Sequence, residues 1–318
     1  MLNLKTQKIL VTGSHGFIGS YLIKNLLNKR RVPAKNLFLP THRQYDLLER
    51  CNCDKVVTGQ DIVIHAAARV GGIGYNQKHP AELFYDNLLM GIQLMESARL
   101  AGVKKFIAVG TVCAYPKFTP TPFKEKDIWN GYPEETNAPY GLAKKMLLVQ
   151  AQAYRDQYGF NAIYLLPANT YGPGDDFSDD KSHVLAALIK KVSLAKNSKS
   201  PSITAWGTGQ ATREFLYAAD AAEGIIRATE LYDSNNPLNL GTGQTVSITK
   251  LLKLICKIMN YKGKIVWDKS KPDGQPRRQL DVSRAKKYLK FTARTSLESG
   301  LKQTIAWYQK TLDKNVKP

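Results

Sequence analysis

Tyr140-Gly-Leu-Ala-Lys144 sets a phenol and an ammonium four residues apart. On a helix the two share one face, one turn apart. A free phenol titrates near ~10 and is a weak acid for neutral-pH work. A neighbouring cation favours the phenolate and lowers that value. Such a pair suits protonation of a carbonyl oxygen as hydride reaches its carbon, with Lys144 also able to hydrogen-bond a nicotinamide ribose. A second run, Gly110-Thr-Val-Cys-Ala-Tyr-Pro116, offers a hydroxyl and a thiol. Thr111 is placed to hydrogen-bond the same carbonyl oxygen as Tyr140. Cys113 could face the same cleft and, near cations, act as a base on a carbon acid. The plainer alternatives are an ordinary exposed Tyr–Lys pair and a buried inert thiol.

A third run, Thr12-Gly-Ser-His-Gly-Phe-Ile-Gly19, follows an apolar stretch and opens a helical one. Gly13 permits the tight turn, Gly16 admits a pyrophosphate to backbone amides, and Gly19 allows close packing. Ser14, His15, Phe17 and Ile18 complete the turn that would meet a dinucleotide. The end of the second strand tells one dinucleotide from another. NAD binders usually carry an acid there for the ribose hydroxyls. Here Pro40, Thr41, His42 and Arg43 follow Leu39. His42 and Arg43 would attract a 2′-phosphate, so the reading is NADP(H), with Arg43 as a mere solvent-facing turn residue the alternative. Asp46 comes late enough to approach the adenine edge.

The elements that must hold these residues alternate through the first half. Strands are expected at 8–12, 36–39, 61–65, 105–109 and 162–166. Helices are expected from about 16 to 28, 81 to 100 and 140 to 158, with Pro80, Gly102 and Gly159 as punctuation. That alternation predicts an α/β fold, a Rossmann-type doubly wound parallel sheet with helices on both faces. Shorter strands at 202–205, 214–217, 238–240 and 264–267, with helices near 183–195, 220–231, 249–259 and 297–309, read as a smaller α/β C-terminal substrate lobe. The division is 1–170 for the NADP-binding domain, with later returns of the chain, and 171–318 for the lobe. The irregular stretch 116–139 carries five prolines, and so long a loop inside a compact domain points to function.

Composition bounds the rest. The chain has 318 residues, 43% hydrophobic and 23% charged, enough for a sizeable core. No bilayer-length apolar run and no leader-like N-terminus are visible, so the expectation is a cytoplasmic protein without membrane partners. Cys51, Cys53, Cys113 and Cys256 lack zinc-site spacing, so no metal is expected. The net charge of +20 suits anionic ligands. The lysines are dispersed, with mild clusters at Lys190-Lys191, Lys286-Lys287 and the tail 310–318, and no nucleic-acid partner is expected.

The three motifs resemble those of the extended short-chain dehydrogenase/reductase family, and within it the GDP-L-fucose synthases. The likeness covers nearly the whole chain. It is carried by Ala67-Ala-Arg-Val-Gly-Gly-Ile73, Asp86-Asn-Leu-Leu-Met90, Cys113-Ala-Tyr-Pro116, Tyr171-Gly-Pro-Gly174, Ser182-His-Val-Leu185, Trp206-Gly-Thr-Gly209, Arg213-Glu-Phe-Leu-Tyr217 and Ser270-Lys-Pro-Asp-Gly-Gln-Pro-Arg277. The resemblance implies 3,5-epimerisation and NADPH-dependent C4 reduction of a GDP-4-keto-6-deoxy sugar. Cys113 and His183 match the family's base and acid, and Thr111 and Tyr140 would steady the oxyanion. Ala66, Ala67, Ala68, Val109, Gly110, Pro167, Asn169 and Thr170 match cofactor-lining positions. Asn169, Lys191, Trp206, Arg213 and Asp273 match positions that hold the GDP-sugar. A homodimer through a four-helix interface of 81–100 and 140–158 is also implied.

Three departures stand out. Thr111-Val112 replaces the usual Ser-Ser, Lys191 replaces an arginine, and Gly141-Leu142-Ala143 replaces the common residues after the tyrosine. They fit a subgroup with a related substrate, such as a deoxyheptose or a sugar reduced without epimerisation. Rival readings are a nucleotide-sugar 4-epimerase, which shows no net cofactor consumption, and a non-catalytic cofactor-sensing or nucleic-acid-binding protein.

Overall fold

The computed structural model describes residues 2–271 and 273–315, with side chains to residue 312. Pro272 of the Ser270–Arg277 run and the end of the basic tail lie outside the described residues. β1 (Ile9–Thr12), α1 (Phe17–Lys24), β2 (Leu37–Phe38), α2 (Arg50–Val57), β3 (Ile62–His65), α3 (Ile73–Lys78), α4 (Pro80–Leu100), β4 (Lys105–Val109), α5 (Ala138–Tyr158) and β5 (Ala162–Pro167) make up the first half. There follow β6 (Asn169–Tyr171), α6 (Val184–Asn197), β7 (Ser202–Trp206), β8 (Thr212–Arg213), β9 (Phe215–Tyr217), α7 (Ala218–Leu231), β10 (Leu238–Leu240), β11 (Val246–Ser247), α8 (Ile248–Met259), β12 (Lys264–Asp268), α9 (Ser283–Leu289) and α10 (Leu297–Asn315).

Six strands form one all-parallel sheet in the order β10-β5-β4-β3-β1-β2. β1, β3, β4 and β5 are buried along their whole length, as strands covered on both faces must be. α2, α4 and α5 pack side by side in one layer, and α1, α7 and α9 in the other. The order turns back between β1 and β3, and such a switch point opens a crevice at the carboxyl ends of the strands. The doubly wound expectation is therefore met.

The chain departs from the sequence reading in particulars. Leu238–Leu240, assigned above to the smaller lobe, is the outer strand of the large sheet, paired with Leu165–Pro167. α7 and α9 pack on it, and their apolar residues join the large core. The expected 214–217 strand is split at Glu214. β8 pairs antiparallel with β11, whereas β9 pairs parallel with β6. The first helix ends at Lys24 and passes into a wider π turn over Asn25–Lys29. α2 and α3 fall in stretches where no helix was read.

A second core, separate from the first, is built from Leu185, Ile189 and Val192 on α6, Leu251 and Ile255 on α8, and Leu301 and Ile305 on α10. β7 and β12 pair parallel beside it. The 116–139 stretch is tied down rather than loose. Buried Lys145 donates to Ile128 O. Phe123 N donates to Gln279 O at 2.7 Å, and Asn239 Nδ2 to Phe123 O at 2.9 Å. Among the described residues no helix is long and apolar enough to cross a membrane.

Candidate active site

A cavity of about 970 Å³ runs between the two cores. At one end the β1–α1 turn is built for close approach. Gly13 has φ +71°, and a Cβ there would lie 2.7 Å from Ala67 N. A Cβ on Gly19 would lie 2.0 Å from Gly13 O, so the helix packs onto its own turn only because that residue is glycine. No side chain caps α1, which leaves its first-turn N–H groups for a ligand. Gly13, Gly16, Phe17, Ile18, Gly19, Ala66, Ala67 and Ala68 all line the cavity. Backbone amides beside a groove that a methyl group would block fit a dinucleotide pyrophosphate. Ser14 is buried and pairs with His15 Nδ1 at 3.0 Å.

Thr41, His42, Arg43 and Asp46 are not brought into the cavity. Thr41 caps its own turn through Gln44 at 2.9 Å. His42 and Asp46 form an exposed pair at 3.6 Å, and Asp46 also accepts from Leu48 N at 3.0 Å. Arg43 is exposed and makes no ion pair among the described residues, so its guanidinium remains available to a phosphate.

Deeper in, Val109, Gly110, Thr111, Cys113, Tyr140, Lys144, Pro167, Asn169 and Thr170 meet in the same cavity. α5 reaches the 111–114 turn because Gly141 has no side chain: a Cβ there would lie 2.4 Å from Cys113 O. That contact accounts for the glycine after the tyrosine. Thr111 Oγ1 accepts from Cys113 N at 3.2 Å. The surroundings do not lower the Tyr140 phenol, contrary to the expectation from Lys144. Burial pushes it above its ordinary range and the Cys113 sulfur adds to this, against the pull of the Thr111 hydroxyl. A phenol so placed keeps its proton at neutral pH, the form a general acid needs. Lys144 is almost wholly buried, and burial pushes it down to about 8.

His183 occupies the N-cap position of α6 without a side-chain capping hydrogen bond, and lines the same cavity. Its ring is surrounded by protein yet open to the cavity. That burial pushes it below its ordinary range; Asp176 opposes the shift and Arg278 adds to it. Lys191, Trp206 and Arg213 also line the cavity. Lys191 Nζ donates to Thr204 O at 2.7 Å and lies 5.9 Å from the Trp206 ring centroid, a half-exposed aromatic face suited to stacking. Both Asp273 carboxylate oxygens are taken by Thr208, at 2.8 and 2.6 Å. Asp273 contributes instead through its carbonyl, which accepts from Arg213 Nη2 at 3.0 Å.

The sequence reading missed Arg278, Asn137 and Asp175. Arg278 is buried and donates from Nη1 to Cys113 Sγ at 3.5 Å. Arg213 is pushed down to about 10, first by burial and then by Arg278. Neither guanidinium has a carboxylate ion pair among the described residues, so this end of the cavity suits a diphosphate. Asn137 Oδ1 lies 3.8 Å from Cys113 Sγ on another side. Asp175 lines the cavity with an unpartnered Oδ2, and burial pushes it up to about 7 against the hydrogen bond its carboxylate accepts from Asp176 N. Arg278 sits one residue past the motif ending at Arg277, and Asn137 just before the helix of Tyr140. Those adjacencies were the only signals.

The pattern of the NAD dependent epimerase/dehydratase family matches residues 9–241. The chain belongs to the NAD dependent epimerase/dehydratase family. Within that family it is 37% identical to GDP-L-fucose synthase 1 of Arabidopsis thaliana over 97% of this chain and 95% of that one. Among solved structures of the same fold it resembles a GDP-6-OMe-4-keto-L-xylo-heptose reductase from C. jejuni, with TM-score 0.89 and 27% identity over 98% of this chain and 99% of the other. It also resembles a GDP-L-fucose synthetase from Naegleria fowleri bound to NADP, with TM-score 0.85 and 25% identity over 97% and 96%. The resemblance seen in the motifs is thus borne out across the family fold.

Proposed function

We propose that this chain carries out NADPH-dependent 3,5-epimerisation and C4 reduction of a GDP-4-keto-6-deoxy sugar, giving GDP-L-fucose or a close relative. The observation that carries this reading is the presence of Cys113 and His183 in the same cavity as Tyr140 and Lys144. A pure 4-epimerase or reductase has no need of the first pair. The 37% identity to a GDP-L-fucose synthase and the likeness to an NADP-bound relative support substrate and cofactor, with Arg43 available for the 2′-phosphate.

In the first stage the Cys113 thiolate takes a proton from a carbon beside the C4 carbonyl, and the electron pair moves to O4. Thr111 and Tyr140 donate hydrogen bonds to that oxygen. His183 returns a proton to the opposite face of the carbon. The same exchange serves C3 and C5. Lys144 would hold the nicotinamide ribose, and NADPH, when bound, would supply hydride to C4. Tyr140 would give its proton to O4. Arg213 and Arg278 bind the diphosphate, and Trp206 stacks on the base.

We place the enzyme as a homodimer joined through α4 and α5, which pack together and carry Phe84, Tyr85, Val149 and Tyr158 exposed. Its four free thiols suit a reducing, cytoplasmic setting. Net oxidation of NADPH on adding GDP-4-keto-6-deoxymannose tests the reading; cofactor recycling without net oxidation would instead make the chain a 4-epimerase. C4 reduction without epimerisation is the second reading, favoured by the likeness to the heptose reductase.

A further inference from the structure

The Gly72–Asn76 stretch, between β3 and α4, meets the neighbours of both groups assigned to epimerisation. At its start Gly72 N donates to Lys181 O at 2.9 Å. A Cβ on Gly72 would lie 2.4 Å from Ser182 O. Gly72 has φ −73° and ψ 179°, extended backbone open to any residue, so close contact rather than torsion demands glycine here. Ser182 is followed directly by His183. The Lys181 ammonium lies 5.4 Å from the Tyr75 ring centroid, a second tie between the same two segments.

At its other end Asn76 is buried and donates from Nδ2 to Asn137 Oδ1 at 3.1 Å. That oxygen is the one 3.8 Å from Cys113 Sγ. The Asn137 amide has one workable orientation. Its Nδ2 donates to Glu134 Oε2, a carboxylate that also accepts from Thr136 Oγ1 at 2.7 Å. Flipping the amide would set oxygen against oxygen. Asn76 N donates to Gly72 O at 3.0 Å, so the two ends are locked to each other by the first helical bond of α3.

We propose that Gly72–Asn76 is the positioning segment of the epimerisation half-reaction: one short stretch of chain sets where Cys113 and His183 stand on either side of the sugar. The inference rests on the epimerisation reading above. Gly72 and Asn76 are positioning residues. They act through the Lys181–Ser182 backbone and through Asn137.

The test uses G72A and N76D in the full-length enzyme, with two rates for each. One is deuterium incorporation at C3 and C5 of GDP-4-keto-6-deoxymannose in heavy water. The other is NADPH oxidation by the 4-keto sugar nucleotide already in the product configuration at those carbons. G72A pushes the His183 segment away. N76D is isosteric but brings no N–H to Asn137. Each variant is expected to lower the ratio of exchange to reduction about tenfold or more, since small misplacements of acid–base groups are that costly. A parallel fall of both rates, or no fall in exchange, would overturn the inference while wild-type exchange stood. Wild-type enzyme that incorporates no deuterium would overturn the epimerisation reading, and this inference with it.

Discussion

At the scale of residues, the site divides into groups that announce themselves by type and spacing and groups that do not. Tyr140 and Lys144 are four apart on α5, and Thr111 and Cys113 two apart on a strand-end turn, so local periodicity was enough to read them. Arg278 reaches Cys113 across 165 residues, and no spacing rule spans that distance. The expected lowering of the Tyr140 phenol also failed, because a motif does not reveal how deeply a side chain is buried. Tyr140→Phe should cut reduction by about 10²–10⁴-fold, the usual share of a general acid, while proton exchange persists at a measurable rate. Cys113→Ser should do the reverse, slowing deuterium incorporation at C3 and C5 and sparing reduction of the epimerised ketone; equal loss of both would contradict the division of roles. The pH dependence has a definite sign. Lys144, lowered to about 8 by burial, is cationic below that value and neutral above it. A pH series of kcat/KM for NADPH, which reports free-enzyme groups, should therefore fall as pH rises through about 8. A flat profile through this range would remove Lys144 from ribose binding.

Among the elements, long amphipathic helices and buried strands were legible and short pieces were not. α4 and α5 begin near prolines and end near glycines, and β1, β3, β4 and β5 read as continuous apolar runs. β10 has only three residues, too few for periodicity to say which sheet it joins. Its place depends on partners far away: Asn239 Nδ2 donates to Phe123 O and to Asp281 O. Lys105 shows the same dependence. It lies in a sheet strand, yet its buried ammonium donates to Ala228 O, Thr229 O and Tyr232 O at 3.3, 2.8 and 2.7 Å, closing the end of α7. Lys105→Met would fill the space but orphan buried carbonyls. By urea titration it should lose about 3 kcal/mol of stability, the scale of unsatisfied buried acceptors. A loss within experimental error would mean that water reaches those carbonyls.

Over the whole molecule, two cores and the cleft between them explain why glycine-turn residues near the start and arginines near the end share one cavity. The basic excess was legible in composition, but its use was not. Arg213 and Arg278 sit at the cavity end beside Cys113 with no carboxylate ion pair among the described residues, whereas exposed cations such as Lys29 and Lys104 pair with acids. The proposed dimer belongs to this scale. Tyr85 and Val149 are 60% and 44% exposed on neighbouring helices. Light scattering should give a dimer mass for the wild type and a monomer mass for Tyr85→Glu combined with Val149→Glu; a monomeric wild type would remove the four-helix interface. Whether one cleft performs proton exchange and then reduction is decided by NMR of the product formed from GDP-4-keto-6-deoxymannose and NADPH in heavy water. A 4-hydroxy product with deuterium at both C3 and C5 and inverted configuration at those carbons is expected. A reduced product with protium retained at C3 and C5 would mean that the cleft reduces without exchanging protons.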